Sequence, residues 1–210
     1  INDTAEQFIR EIDMSYYGSS ITSTYNAYGD AAIVTFSRTG QENADCATNN
    51  VAGHANQDDH YLQLDDNEKA LIHHVKKSFK KVIVLINSSN IMQIPDLAEK
   101  RTDDNLGVDA ILWVGSVGQD GCTAIAHILN GDITPSGHTS DLWEKDFTKG
   151  PTFSNFGMNS QMKDANGNRL DPFYYDSKGN ITKFATVEYR EGIYSGYRYY
   201  ETAYADADGD

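Results

Sequence analysis

The stretch SRTGQENADC (37–46) sets one arginine, Arg38, close to two acids, Glu42 and Asp45, with Gly40 between them to let the backbone turn tightly. A carboxylic acid on a loop near a cation has what general acid/base chemistry needs, namely reach to a leaving oxygen and a pKa that neighbours can tune. Arg38 and Asp45 are then candidates to bind substrate beside Glu42. The same residues also suit an ordinary solvated loop, and their spacing alone leaves both readings open. A second candidate lies in the Tyr-rich segment VEYREGIYSGYRYYETAY (187–204), expected to be extended, where six tyrosines surround Glu188, Glu191 and Glu201. Flat amphipathic rings stack on sugars or pair across strands, and Glu191 is the rival acid.

Other motifs lead to no chemistry. GSVGQDG (115–121) lacks both the dinucleotide fingerprint and the Lys-Ser/Thr ending of a phosphate loop, and Val114 stands where a nucleophile elbow around Ser116 needs glycine. His73 and His74 are adjacent on a helix and point apart, while His54 and His60 share a polar loop with Asp58 and Asp59 and read as a solvated face. No metal site is expected. Cys46 and Cys122 stand in unrelated contexts and do not make a disulfide framework. KDANGNRL (163–170) and YDSKGNIT (175–182) repeat Asp-x-x-Gly-Asn, which is the chemistry of tight hairpin turns.

The elements that must position these residues follow from periodicity. AAIVTFS (31–37), KVIVLINSS (81–89) and DAILWVGS (109–116) are short apolar, β-rich runs of the kind that strands buried on both faces show. Between the first two, Asp65 and Glu68 form a capping box, and Leu71, Ile72, Val75 and Phe79 share one helical face. A second helix is expected over 121–130, with Ile125, Ile128 and Leu129 on one side and Gly131 as its cap. Strands alternating with helices predict an α/β fold: a three-layer α/β/α sandwich with a mostly parallel sheet, followed by an irregular hairpin-rich region. The predicted division is an approach segment at 1–29, a sandwich core at 30–140, a hairpin- and Tyr-rich extension of the same domain at 141–204 and an acidic tail or cut loop at 205–210. Ligands of such sheets bind beyond the C-terminal strand ends, so the loops starting at Arg38, Asn87 and Gly115 share one rim.

Composition narrows the partners. Lys plus Arg number 17 against 31 Asp plus Glu in 210 residues, a formal charge of −14 that disfavours nucleic acid and anionic membranes. Apolar runs are strand-sized and far short of a bilayer span, which fits a soluble protein, cytoplasmic or secreted. A chain beginning at Ile1 without an initiator Met reads as cut from something longer.

Several segments, in order, resemble the C-terminal α/β sandwich domain of glycoside hydrolase family 3, the β-glucosidase group: AAIVTFSRTGQENAD, DDHYLQLDDNEKALIHHV, KKVIVLINSSN, VDAILWVGSVGQDG, AIAHILNGDITPSG and VEYREGIYSGYRYYET. The resemblance implies a retaining β-glycosidase acting on β-linked glucosides or related oligosaccharides, without a cofactor. It implies an Asp nucleophile on an N-terminal barrel domain of the parent chain and a Glu acid/base after the first strand, a position that Glu42 matches. Gln41 and Asn43 flank Glu42 where many members have glycine. The two carboxyl groups of a retaining enzyme stand about 5–5.5 Å apart, so the chain by itself is expected to be inactive. The alternative is a non-catalytic domain that binds carbohydrate or braces a larger protein. A free-standing flavodoxin-like module is disfavoured by the missing phosphate loop.

Overall fold

A computed structural model of the chain describes residues 11–39, 46–47, 49–153, 173–175, 177–178, 181–185, 189 and 191–208. The chain divides into two units, 1–138 and 139–210. In the first, a 3₁₀ turn (Met14–Tyr16) and the short helix α1 (Ser19–Thr22) precede strand β1 (Ala32–Arg38). The capping box at Asp65 and Glu68 then starts helix α2 (Asp66–Ser78), in which the Asp65 carboxylate accepts the Glu68 N–H and the Glu68 carboxylate accepts the Asp65 N–H, each at 2.8 Å. Residues of the approach segment between Glu11 and Tyr25 contact this helix. Tyr25 Oη is 3.0 Å from His74 Nε2, its ring packs on Phe79 at 4.8 Å, and Asn67 donates to the Glu11 carbonyl at 3.0 Å.

Strands β2 (Val82–Ser88) and β3 (Ala110–Trp113) complete a parallel sheet of order β1-β2-β3. Its register sets Val34 opposite Val84, Arg38 opposite Ser88, and Ile86 opposite Trp113. Parallel neighbours need a crossover long enough to return the chain to the start of the next strand, and α2 provides the first. Its face of Leu71, Ile72 and Val75, with Phe79 just beyond, is buried as expected. Burying each such side chain stabilises by about 1.5–3 kcal/mol. A 3₁₀ turn (Pro95–Ala98) on the way to β3 adds the fully buried Leu97. This is the α/β sandwich that the alternating pattern predicts.

Three details of the first unit differ from the sequence reading. β1 is not buried on both faces: Ala32, Val34, Phe36 and Arg38 are inside, while Ile33 is 53% exposed and Thr35 is exposed. Its apolar run therefore behaves as a one-sided strand. Helix α3 (Gly121–Asn130) forms where predicted, and Gly131 caps it at φ 82°, a left-handed conformation that glycine adopts without a Cβ penalty. Yet Ile125, Ile128 and Leu129 are only half-buried and α3 contains no fully buried residue. The strand before it, β3, is likewise uncovered at Ala110 and Trp113. His54 and His60 are not solvated, at 6% and 5% exposure, because the loop before α2 folds inward with Val51, Tyr61 and Leu64.

In the second unit, strands β4 (Phe173–Tyr175) and β5 (Ile181–Ala185) pair antiparallel, as the second Asp-x-x-Gly-Asn turn leads one to expect. The first of those turns, 163–170, lies outside the described residues. The Tyr-rich segment ends in helix α4 (Tyr197–Asp208), where an extended conformation was expected. Aromatic β preference is a weak prior that depends on a sheet neighbour, and Ala203, Ala205, Ala207 and Glu201 favour helix.

Candidate active site

The period of β1 carries Arg38 to the C-terminal strand end on the same face as Phe36, and the capping box brings Glu68 to the first turn of α2. The two meet as a fork: Arg38 Nη1 donates to Glu68 Oε1 and Nη2 to Oε2, both at 2.7 Å, with side chains 4% and 5% exposed. A guanidinium has five N–H donors. The remaining three go to backbone carbonyls, Nε to Tyr61 at 2.7 Å, Nη1 to Ser37 at 2.9 Å and Nη2 to Gln63. All five are thus met by the protein itself, and Arg38 ties strand, loop and helix together at the rim.

A buried pair needs its other donors and acceptors met, and here all five guanidinium protons are engaged while the Glu68 carboxylate accepts three hydrogen bonds. Burial alone would depress the basicity of Arg38, but the hydrogen bonds and charge of Glu68 outweigh it and hold the guanidinium above its ordinary pKa. Asp65 is raised, first by burial and then by the neighbouring Glu68 carboxylate, against the pull of the Glu68 N–H and Arg38.

The chain leaves this anchor at Thr39 and is described again at Cys46; Glu42 and Asp45 lie outside the described residues. Around the rim, Ser88 is buried, its Oγ accepts the Asn90 N–H at 3.1 Å, and Asn90 Nδ2 donates to Cys46 Sγ at 3.6 Å. Trp113 Nε1 donates to the Ser88 carbonyl at 2.7 Å, which fixes an indole that is 40% exposed at the end of β3. Glu191 sits in the second unit in a turn whose next residue, Gly192, has φ 57°.

Reasoning from sequence missed Tyr61 and the role of Glu68 beyond its cap. An aromatic and two leucines in the otherwise polar DDHYLQLDD, 58–66, are the signal that this loop packs inward. Beside it lies a cavity of about 110 Å³ lined by residues that include Asp59, Gln63, Lys69 and Gln93. Ligand pockets run to roughly 300–1,000 Å³, so this hollow is small beside them. Among the described residues no three His, Cys, Asp or Glu side chains gather as a metal-binding group, and no helix is long and apolar enough to cross a membrane.

Comparison with known proteins bears on what this rim belongs to. The family described as "Glycosyl hydrolase family 3 C-terminal domain" matches residues 16–197. β-Glucosidase A of Butyrivibrio fibrisolvens is 29% identical over 189 residues, covering 84% of this chain and 19% of the relative. The β-glucosidase of Ruminococcus albus is 28% identical over 139 residues, 66% of this chain and 11% of the relative. Among solved structures, β-glucosidase 3B of Thermotoga neapolitana in complex with α-D-glucose superposes with a TM-score of 0.63 at 26% identity, over 94% of this chain and 23% of that one. The chain thus spans less than a quarter of the proteins it matches, and by sequence and by fold it belongs to the glycosyl hydrolase family 3 C-terminal domains.

Proposed function

We propose that this domain forms one wall of the active site of a retaining β-glycosidase acting on β-glucosides or related oligosaccharides, and that Glu42 is its general acid/base. The observation that carries this reading is positional: TGQENAD leaves the C-terminal end of β1, the edge at which open α/β sheets take their ligands. The β-glucosidase relatives support the substrate class. In the first step Glu42, as the acid, gives its proton to the glycosidic oxygen while the bond from that oxygen to the anomeric carbon breaks and a carboxylate of the barrel domain bonds to the same carbon. In the second step Glu42, now a carboxylate, takes a proton from water as the water oxygen displaces the barrel carboxylate. Both carboxyl groups are needed, so the chain without its barrel domain is inactive.

The test uses the full-length parent enzyme. Glu42→Ala lowers kcat/KM severely for an alkyl glucoside, whose leaving group needs the proton, and spares a dinitrophenyl glucoside, whose leaving group does not. Azide restores turnover of the second substrate by attacking the glycosyl-enzyme without a base. Unchanged alkyl glucoside hydrolysis in Glu42→Ala, together with its loss in Glu191→Ala, would move the acid to the Tyr-rich segment. Gln41 and Asn43 motivate the second reading, a domain that only binds or braces, and glucoside hydrolysis by the parent would rule it out.

A further inference from the structure

We infer that the hollow between the loop before α2 and the 3₁₀ turn after β2 binds a neutral polyhydroxyl ligand, the diol edge of a sugar; the inference does not depend on Glu42. Backbone contacts fix its frame. Gln63 and Gln93 meet in a parallel bridge, the Gln93 N–H donates to the Leu62 carbonyl at 2.9 Å, and the N–H of the fully buried Leu97 donates to the Ile94 carbonyl at 3.2 Å. A frame already in place spares a ligand the cost of ordering its site.

Three groups that line the hollow have unused hydrogen-bonding capacity. The Lys69 ammonium carries three N–H donors, yet its closest carboxylate oxygens, on Asp59 and Asp66, stand 3.7 and 3.8 Å away, beyond hydrogen-bond range. The Gln63 side-chain carbonyl accepts the His60 N–H at 2.8 Å, while its amide nitrogen has no partner among the described residues. Asp96 is exposed, and its carboxylate meets no donor among the described residues. Donors set beside an acceptor are what neighbouring hydroxyls need, since each hydroxyl both donates and accepts. Ile94 and Pro95 add an apolar wall for the C–H edge of a ring. The charges select the class of ligand. Asp59 and Asp96 repel a phosphate, the Lys69 ammonium repels a metal ion, and a neutral hydroxyl bonds to groups of either sign. At about 110 Å³ the hollow is small, so a sugar enters it by one edge.

D-glucose is the probe, titrated into the full-length parent and followed by saturation-transfer difference NMR. The parent is first treated with a 2-deoxy-2-fluoroglucoside, which loads a retaining centre with a covalent sugar and leaves the hollow open. The treated parent should bind glucose saturably, and Lys69→Met and Asp96→Ala should each raise Kd about tenfold, since each removes a charged partner of a hydroxyl. Far-UV circular dichroism checks that the variants fold. Binding that is absent, or that either folded variant leaves unchanged, overturns the inference; displacement of glucose by inorganic phosphate or by magnesium overturns the ligand class. Should Lys69→Met fail to fold, Asp96→Ala, at an exposed position, decides by the same criterion. If the fluoroglucoside does not react, the retaining-glycosidase reading falls by itself, and the effect of the two variants on glucose binding to the untreated parent still decides the hollow.

Discussion

Replacing Arg38 with Met removes five hydrogen bonds at once and leaves the Glu68 carboxylate 5% exposed with the Asp65 N–H still bound to it. Breaking one side of a buried ion pair costs about 3–5 kcal/mol, because the desolvated charge that remains has lost its compensation. For a chain of this size each kcal/mol lowers Tm by about 2–4 °C, so the single substitution should cost roughly 6–20 °C. Glu68→Met should cost a similar amount, since it strands a guanidinium on three carbonyls and also removes half of the capping box. The double variant is the decisive arm: with both charges gone and apolar volume in their place, its cost should fall short of the sum of the singles by about 2 kcal/mol or more. Urea titration followed by far-UV circular dichroism measures all three. Strict additivity, or an Arg38→Met cost below about 0.5 kcal/mol, would refute the view that the fork is a single coupled unit clamping the strand end to the helix.

Two further expectations follow from the first unit. Asp109 accepts the Val82 N–H at 2.7 Å and pairs with Arg101; burial opposes its ionisation, but these partners outweigh it and lower its pKa. A depressed carboxylate contributes stability above its unfolded pKa of about 3.9 and loses it as pH falls through the lowered folded value. Asp109→Asn should therefore differ from the parent chain in Tm at neutral pH and converge with it below the ordinary carboxylate range; a difference independent of pH would remove the charge from the explanation. Gly107→Ala should destabilise by about 1–3 kcal/mol, since a Cβ there would run into the Glu99 carbonyl and stand 3.1 Å from the Arg101 backbone, neither of which yields cheaply. An unchanged denaturation midpoint would mean that this connection relaxes freely.

Much of this architecture is written in local pattern. A run such as KVIVLINSS has one good fate, a strand within a sheet, and Asp65 with Glu68 ahead of an apolar stripe starts a helix by contacts three residues apart. Gly131 ends α3 because the backbone there needs a left-handed turn. The ordered segments were enough to point to the family, and the matched span 16–197 agrees. Arg38 shows where such reading stops. From sequence it is a loop-edge cation offered to a substrate; in the fold a residue 30 positions away takes both of its terminal nitrogens. That pairing depends on the crossover that returns α2 to the end of β1, and no periodicity records it. His60 follows the same rule, for its ring nitrogen is met by Gln93, 33 positions away, whereas the partner of His54, Asp59, lies in the same loop. The tyrosines of α4 suit an extended segment by aromatic preference, yet that preference counts only where a sheet is present to pair with, and the segment is helical. Short-range hydrogen bonds and side-chain periodicity are properties of neighbouring residues and belong to the sequence; burial and charge pairing are sums over residues far apart in the chain, and only the folded structure brings them within the few ångströms over which they act.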